Sequence, residues 1–204
     1  MKTDRFYNCI KAVGTPLVNI LFRLKVVGKE NIPKNSGYIL CCNHTHFIDV
    51  AFLIVSVPHK ICFMAKEELF RNKLANWFLT KMGAFPVARA SGAGAVPAIK
   101  KAEEVVASGG VTGIFPEGTR SKDGKPKKAK SGVAIIASET DSPVLPISIY
   151  YEGKLKLFKK VTLRIGKLIP KEEVKLKSND RAELKRVSTM IMDTITVQWE
   201  EGAC

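Results

Sequence analysis

Tyr38-Ile39-Leu40-Cys41-Cys42-Asn43-His44-Thr45-His46-Phe47-Ile48-Asp49 is the stretch on which the reading of this chain turns. Five apolar residues in a row, too few for a helix that buries itself, read as an interior strand. A short polar turn follows, and the apolar run from Val50 to Val57 then reads as a helix. A histidine at the end of a strand is exposed by the turn yet held by the sheet. A carboxylate five residues later, in the first turn of the helix, is placed to swing back onto the imidazole. Asp49 would then fix the tautomer of His44 and favour its protonated form, leaving the other ring nitrogen to take a proton from a hydroxyl. Such a pair is a Ser-His-Asp triad without its serine, so the nucleophile would arrive with the substrate. Spacing alone is weak support, because three histidines and six aspartates among 204 residues produce it by chance in about one chain in eleven.

Strand and helix patterns alternate outward from this stretch. Residues 60–64, 83–89, 111–115, 144–150 and 161–166 read as further strands, and residues 69–82, 95–108, 131–140 and 181–200 as helices, the second of these closed by Gly109-Gly110. The expected fold is α/β: a single domain with a mixed, largely parallel sheet flanked by helices. Ahead of it, residues 4–24 repeat apolar side chains at steps of three and four (Phe6, Ile10, Val13, Leu17, Leu21, Leu24), with Arg5, Lys11, Arg23 and Lys25 around them. That pattern predicts an N-terminal amphipathic helix lying in a membrane interface, kinked or divided at Gly14 and Pro16. The expected division of the chain is 1–27 for the membrane-associating helix and 28–204 for the α/β domain.

Composition narrows the functional classes. A net charge of +14 points to an anionic partner, whether a membrane face, a phosphorylated molecule or nucleic acid. Five cysteines without a C-x-x-C pair argue against a disulfide framework and against structural zinc. Lys11 breaks the N-terminal apolar run, which argues against a signal peptide, and no window of 18 uninterrupted apolar residues suggests a membrane span. The run Phe115-Pro116-Glu117-Gly118-Thr119-Arg120-Ser121 leaves a strand and supplies a glycine, hydroxyls and a guanidinium fork suited to phosphate oxygens. Lys122, Lys125, Lys127, Lys128 and Lys130 follow against Asp123 alone, a charge run placed to steer an anion toward that turn. Aromatic residues sit in apolar runs rather than in a stacking or groove-reading pattern, which disfavours nucleic acid.

Taken in order, Asn43-His44 through Asp49, Gly83 through Arg89, Phe115 through Ser121 and Val144-Leu145-Pro146-Ile147 resemble the four blocks of the glycerolipid acyltransferase family, most of all its 1-acyl-glycerol-3-phosphate (lysophosphatidate) acyltransferases. The resemblance covers roughly residues 25–170 and implies transfer of a fatty acyl group from a thioester to the sn-2 hydroxyl of 1-acyl-glycerol-3-phosphate, giving phosphatidate. It implies His44 and Asp49 as the catalytic pair. It places Arg89, Glu117, Gly118, Thr119 and Arg120 at the substrate phosphate, with Asn43, Lys66 and Lys130 in supporting roles. His46 stands where relatives often carry serine. No metal or cofactor is implied; the donor is acyl-coenzyme A or an acyl-acyl-carrier protein, and the expected location is the cytoplasmic face of the membrane, peripheral or monotopic. Glycerol-3-phosphate or another lysolipid is the alternative acceptor. A basic membrane- or nucleic-acid-binding protein without catalysis is the alternative of another class.

Overall fold

The computed structural model describes residues 4–34, 37–87 and 96–204. Strand β2 (Tyr38–Cys42) is buried along its whole length, as its unbroken apolar run requires of a strand covered on both faces. It sits at the centre of a seven-stranded sheet whose order is β1-β7-β6-β2-β5-β3-β4, with β1 at Arg23–Val27, β3 at Ile61–Lys66, β4 at Phe85–Val87, β5 at Val111–Ile114, β6 at Val144–Tyr150 and β7 at Lys160–Ile165. Strands β2, β3, β4, β5 and β6 run parallel, so their carboxyl ends share one edge of the sheet. Strand β7 returns antiparallel to β6, and β1 runs parallel to β7.

Helices α1 (Arg5–Leu21) and α2 (Asp49–Ser56) cover one face, where Val18, Phe22, Phe52 and Leu53 meet Tyr38, Leu40 and Cys42 from β2. Helices α4 (Val96–Ala107), α5 (Gly132–Glu139) and α7 (Arg181–Glu200) cover the other, packing Ala102, Val133, Ile191 and Ile195 against Ile39 and Cys41. Helix α3 (Lys73–Lys81) forms the crossover from β3 to β4, and α6 (Lys171–Val174) is a single turn before α7. Local chemistry sets several of these ends. The Asn72 side chain accepts hydrogen bonds from the Leu74 and Ala75 amides at the start of α3, and Asp180 accepts from Glu183 at the start of α7. At the end of α4, Gly109 takes a positive φ of 78° and the Gly110 amide closes onto the Val105 carbonyl.

Two expectations need correction. Residues 23–27, grouped with the N-terminal helix by their spacing, form the edge strand β1 and pair with residues 160–164. A boundary at 27/28 would therefore separate a strand from its own sheet. Its short Arg-Leu-Lys-Val-Val pattern alternates, and the half-buried Leu24 and Val26 pack on the core. Pro16 neither divides nor ends α1, which is continuous across it; the proline lies on the exposed side of the helix. The helix is also fastened to the domain. Tyr7 is buried, its hydroxyl accepting from the Ile61 amide, Lys11 donates to the Val57 and Pro58 carbonyls at the end of α2, and Asp4 pairs with Lys60.

Candidate active site

The sequence-predicted residues within the described part of the chain gather at the shared carboxyl edge of β2, β3 and β5, the position where open parallel sheets bind ligands. His44 follows β2 by two residues, and Asp49 opens α2. The imidazole Nδ1 lies 2.9 Å from Asp49 Oδ2, with the carboxylate fully buried and the imidazole 17% exposed. That oxygen also accepts from the Thr45 amide at 2.7 Å and the His46 amide at 2.8 Å. An ionised carboxylate only accepts, so Nδ1 carries the proton and Nε2 presents its lone pair. The turn is thereby wrapped around one oxygen.

The backbone of His44 is held from a second side by the loop that follows β5. Its N–H donates to Glu117 Oε1 at 3.0 Å, and its carbonyl accepts from the Ser121 amide at 2.7 Å. Between those two residues Gly118 turns the chain at φ 68°, where the Lys130 side chain lies 3.0 Å from the place a β-carbon would occupy. Lys130 also donates its amide to the Pro116 carbonyl at 2.9 Å, so it braces the turn. Asn43, fully buried, extends the ladder of β2 onto β6 by pairing both atoms of its amide with Ile149, at 2.8 and 3.0 Å.

The Glu117 side chain turns inward, 3% exposed, and accepts from the His44 amide. Burial pushes its carboxyl up to about 7, only partly offset by the backbone amides of His44 and Lys127 and by the Lys127 charge. Its second oxygen, like Asp49 Oδ1, is buried with no partner among the described residues. Thr119 and Arg120 are exposed, and the Arg120 guanidinium makes no ion pair or hydrogen bond among the described residues. It is free to take a ligand. Lys66, at the end of β3, is engaged with Glu68 at 2.7 Å. Arg89 lies outside the described residues, two positions beyond the end of β4.

Several residues at the site were not singled out from the sequence. The Phe115 ring stacks on the His44 imidazole with centroids 4.0 Å apart and planes 18° from parallel, and Phe63 stacks behind Phe115 at 5.8 Å. Gly113 pairs with Phe63 across β5 and β3 and makes room for this stack, since a β-carbon there would come within 2.6 Å of the Phe63 ring. Thr45 accepts from the Tyr151 hydroxyl at 2.7 Å. Phe115 and Ser121 lie inside the motif already quoted; Phe63 and Tyr151 carry no local signal and emerge only from strand pairing. Among the described residues no three of His, Cys, Asp and Glu come together as a metal-ligand set.

The acyltransferase family model matches residues 23–150, a span that contains His44, Asp49 and the Phe115–Ser121 turn. The chain belongs to the acyltransferase family. This acyltransferase is 38% identical over 146 residues to the 1-acyl-sn-glycerol-3-phosphate acyltransferase of Bacillus subtilis, covering 70% of each chain. It is 36% identical over 128 residues to the enzyme of that name from Borreliella burgdorferi, covering 63% of this chain and 51% of the other. It spans 39% of the length of a chloroplastic relative from Brassica napus, at 32% identity. Among solved structures, the 1-acyl-sn-glycerophosphate (LPA) acyltransferase PlsC from Thermotoga maritima superimposes with a TM-score of 0.74 at 28% identity, over 96% of this chain and 78% of that one.

Proposed function

We propose that this acyltransferase transfers a fatty acyl group from a thioester to the sn-2 hydroxyl of 1-acyl-glycerol-3-phosphate, with His44 as general base. The observation that carries the reading is the buried Asp49 oxygen on His44 Nδ1, which leaves Nε2 free, on a backbone tied to the loop that bears Arg120. The names of the relatives supply the substrate class. In this mechanism Nε2 removes the hydroxyl proton as the oxygen attacks the thioester carbonyl. The tetrahedral intermediate then expels the thiolate, which takes the proton back from the imidazolium, leaving phosphatidate and a free thiol. General-base help of this kind is worth about 10²–10⁴ in rate. Orienting two substrates as one bound pair contributes at least as much. Arg120, joined by Arg89, binds the phosphate of the acceptor. The donor is coenzyme A or an acyl-carrier protein.

The location that fits is the cytoplasmic face of the membrane, held peripherally through α1. Among the described residues no helix is long and apolar enough to cross a membrane. A thiol-release assay with lysophosphatidate and each donor tests the activity. His44→Ala is expected to bind lysophosphatidate and lose turnover by about 10² or more; retained turnover removes His44 as the base. Release that proceeds equally well with glycerol-3-phosphate in an acceptor panel would reassign the acceptor while leaving the chemistry in place.

A further inference from the structure

Helix α3 has no buried residue along its nine positions, yet it carries Leu74, Trp77 and Phe78 at 41–74% exposure. Their spacing puts all three on one face. A nine-residue helix is not stable in water without cover for such a face. Its aromatic contact is with α1: the Phe6 ring meets Trp77 edge-on at 5.4 Å and Phe78 at 6.2 Å. Beyond Phe6 the outer stripe of α1 continues through Val13, Leu17 and Ile20, 52–66% exposed, while the opposite stripe, with Tyr7 and Val18, is buried on the domain. Neither helix contains an aspartate or glutamate; Arg5, Lys73 and Lys81 are exposed upon them. Acidic groups flank them at Asp4, paired with Lys60, and at Glu67 and Glu68, the latter paired with Lys66; the charges on the two helices themselves are cationic, which, with a net charge of +14, disfavours a second copy of this chain and suits an anionic lipid bilayer.

We propose that α3 is a second membrane-docking element, joined to α1 through Phe6, with Trp77 seated at the level of the lipid headgroups. This deepens the proposed reading of α1 and rests on it. Two anchors do what one cannot: a single helix leaves the domain free to roll about its axis, and a second point of contact fixes the orientation. The turn at residues 67–70, which leads into α3, starts from the carboxyl end of β3, the edge of the sheet that holds His44. Docking through α3 therefore brings that edge to the bilayer, where a lysolipid enters without leaving the membrane.

The chain has two tryptophans, so Trp199→Phe leaves Trp77 as the sole reporter. With phosphatidylcholine vesicles containing phosphatidylglycerol, the emission of Trp77 shifts to the blue and is quenched by brominated acyl chains. In the otherwise native protein, Trp77→Ser lowers the vesicle partition coefficient by about tenfold, and Leu17→Ser does the same through α1. Sedimentation with vesicles but no change at Trp77 and no loss in Trp77→Ser overturns the role of α3 and leaves α1 as the anchor. No sedimentation at all overturns both. Equal binding to pure phosphatidylcholine overturns the charge argument, and a blue shift that depends on protein concentration without vesicles gives the surface to a second copy.

Discussion

Replacing Glu117 with glutamine tests whether the carboxyl that holds His44 is neutral at working pH. The folded protein keeps the Glu117 proton up to about pH 7, against an ordinary value of 4.5 for a glutamate, because burial disfavours the charged form. The native state therefore binds one proton more than the unfolded chain between those two values. Stability from this group is full below pH 4.5 and is lost as pH rises through about 7. At roughly 1.4 kcal/mol per pH unit, the loss between pH 5 and pH 8 is roughly 2.5 kcal/mol. Glutamine keeps an oxygen for the His44 amide and does not titrate. Urea denaturation of both proteins at pH 5 and pH 8 isolates the effect: the unfolding free energy of Glu117→Gln gains roughly 2.5 kcal/mol on the native protein across that interval. A difference that stays constant with pH would refute the reasoning, since it would mean that the buried carboxyl titrates as it does in the unfolded chain.

Asp49→Asn removes the anion that three donors share and lets the imidazole choose the other tautomer; kcat in the thiol-release assay falls by about 10³–10⁴ with little change in KM. Arg120→Ala, at an exposed guanidinium with no partner among the described residues, raises the KM for lysophosphatidate by about tenfold to a hundredfold and leaves the urea midpoint unchanged; an unaltered KM moves the phosphate site elsewhere. Gly113→Ala drives a β-carbon into the Phe63 ring and so pushes on the Phe63–Phe115–His44 stack; it costs about 1–3 kcal/mol of stability by urea denaturation and lowers kcat.

The elements that were legible in the sequence are those whose signal is local. The run at 38–42, the turn at 43–48 and the carboxylate at the start of α2 lie within twelve residues, so strand, turn and helix periodicity suffice to bring His44 and Asp49 together. Strand β1 failed for the opposite reason. Leu24 continues the helical spacing of Leu21, and only pairing with residues 160–164 decides that the chain is extended there. Glu117 was legible as a residue but not in its orientation. The motif gives the residue but not the direction of its side chain, which depends on the turn at Gly118 and on the amide of His44, 73 positions earlier in the chain. Pro16 does not divide α1, which runs from Arg5 to Leu21; the proline faces outward, where water reaches the carbonyl it leaves without a donor.

The double hold on the backbone of His44 follows from the proposed chemistry. In a protein with its own serine, nucleophile and base are both fixed by the fold. Here the hydroxyl comes with the acceptor, and its place is fixed by the phosphate a few bonds away. The base is then useful only if its distance from the phosphate site is constant. Tying the N–H of His44 to Glu117 and its carbonyl to Ser121 makes the imidazole and the Arg120 turn parts of one rigid loop pair.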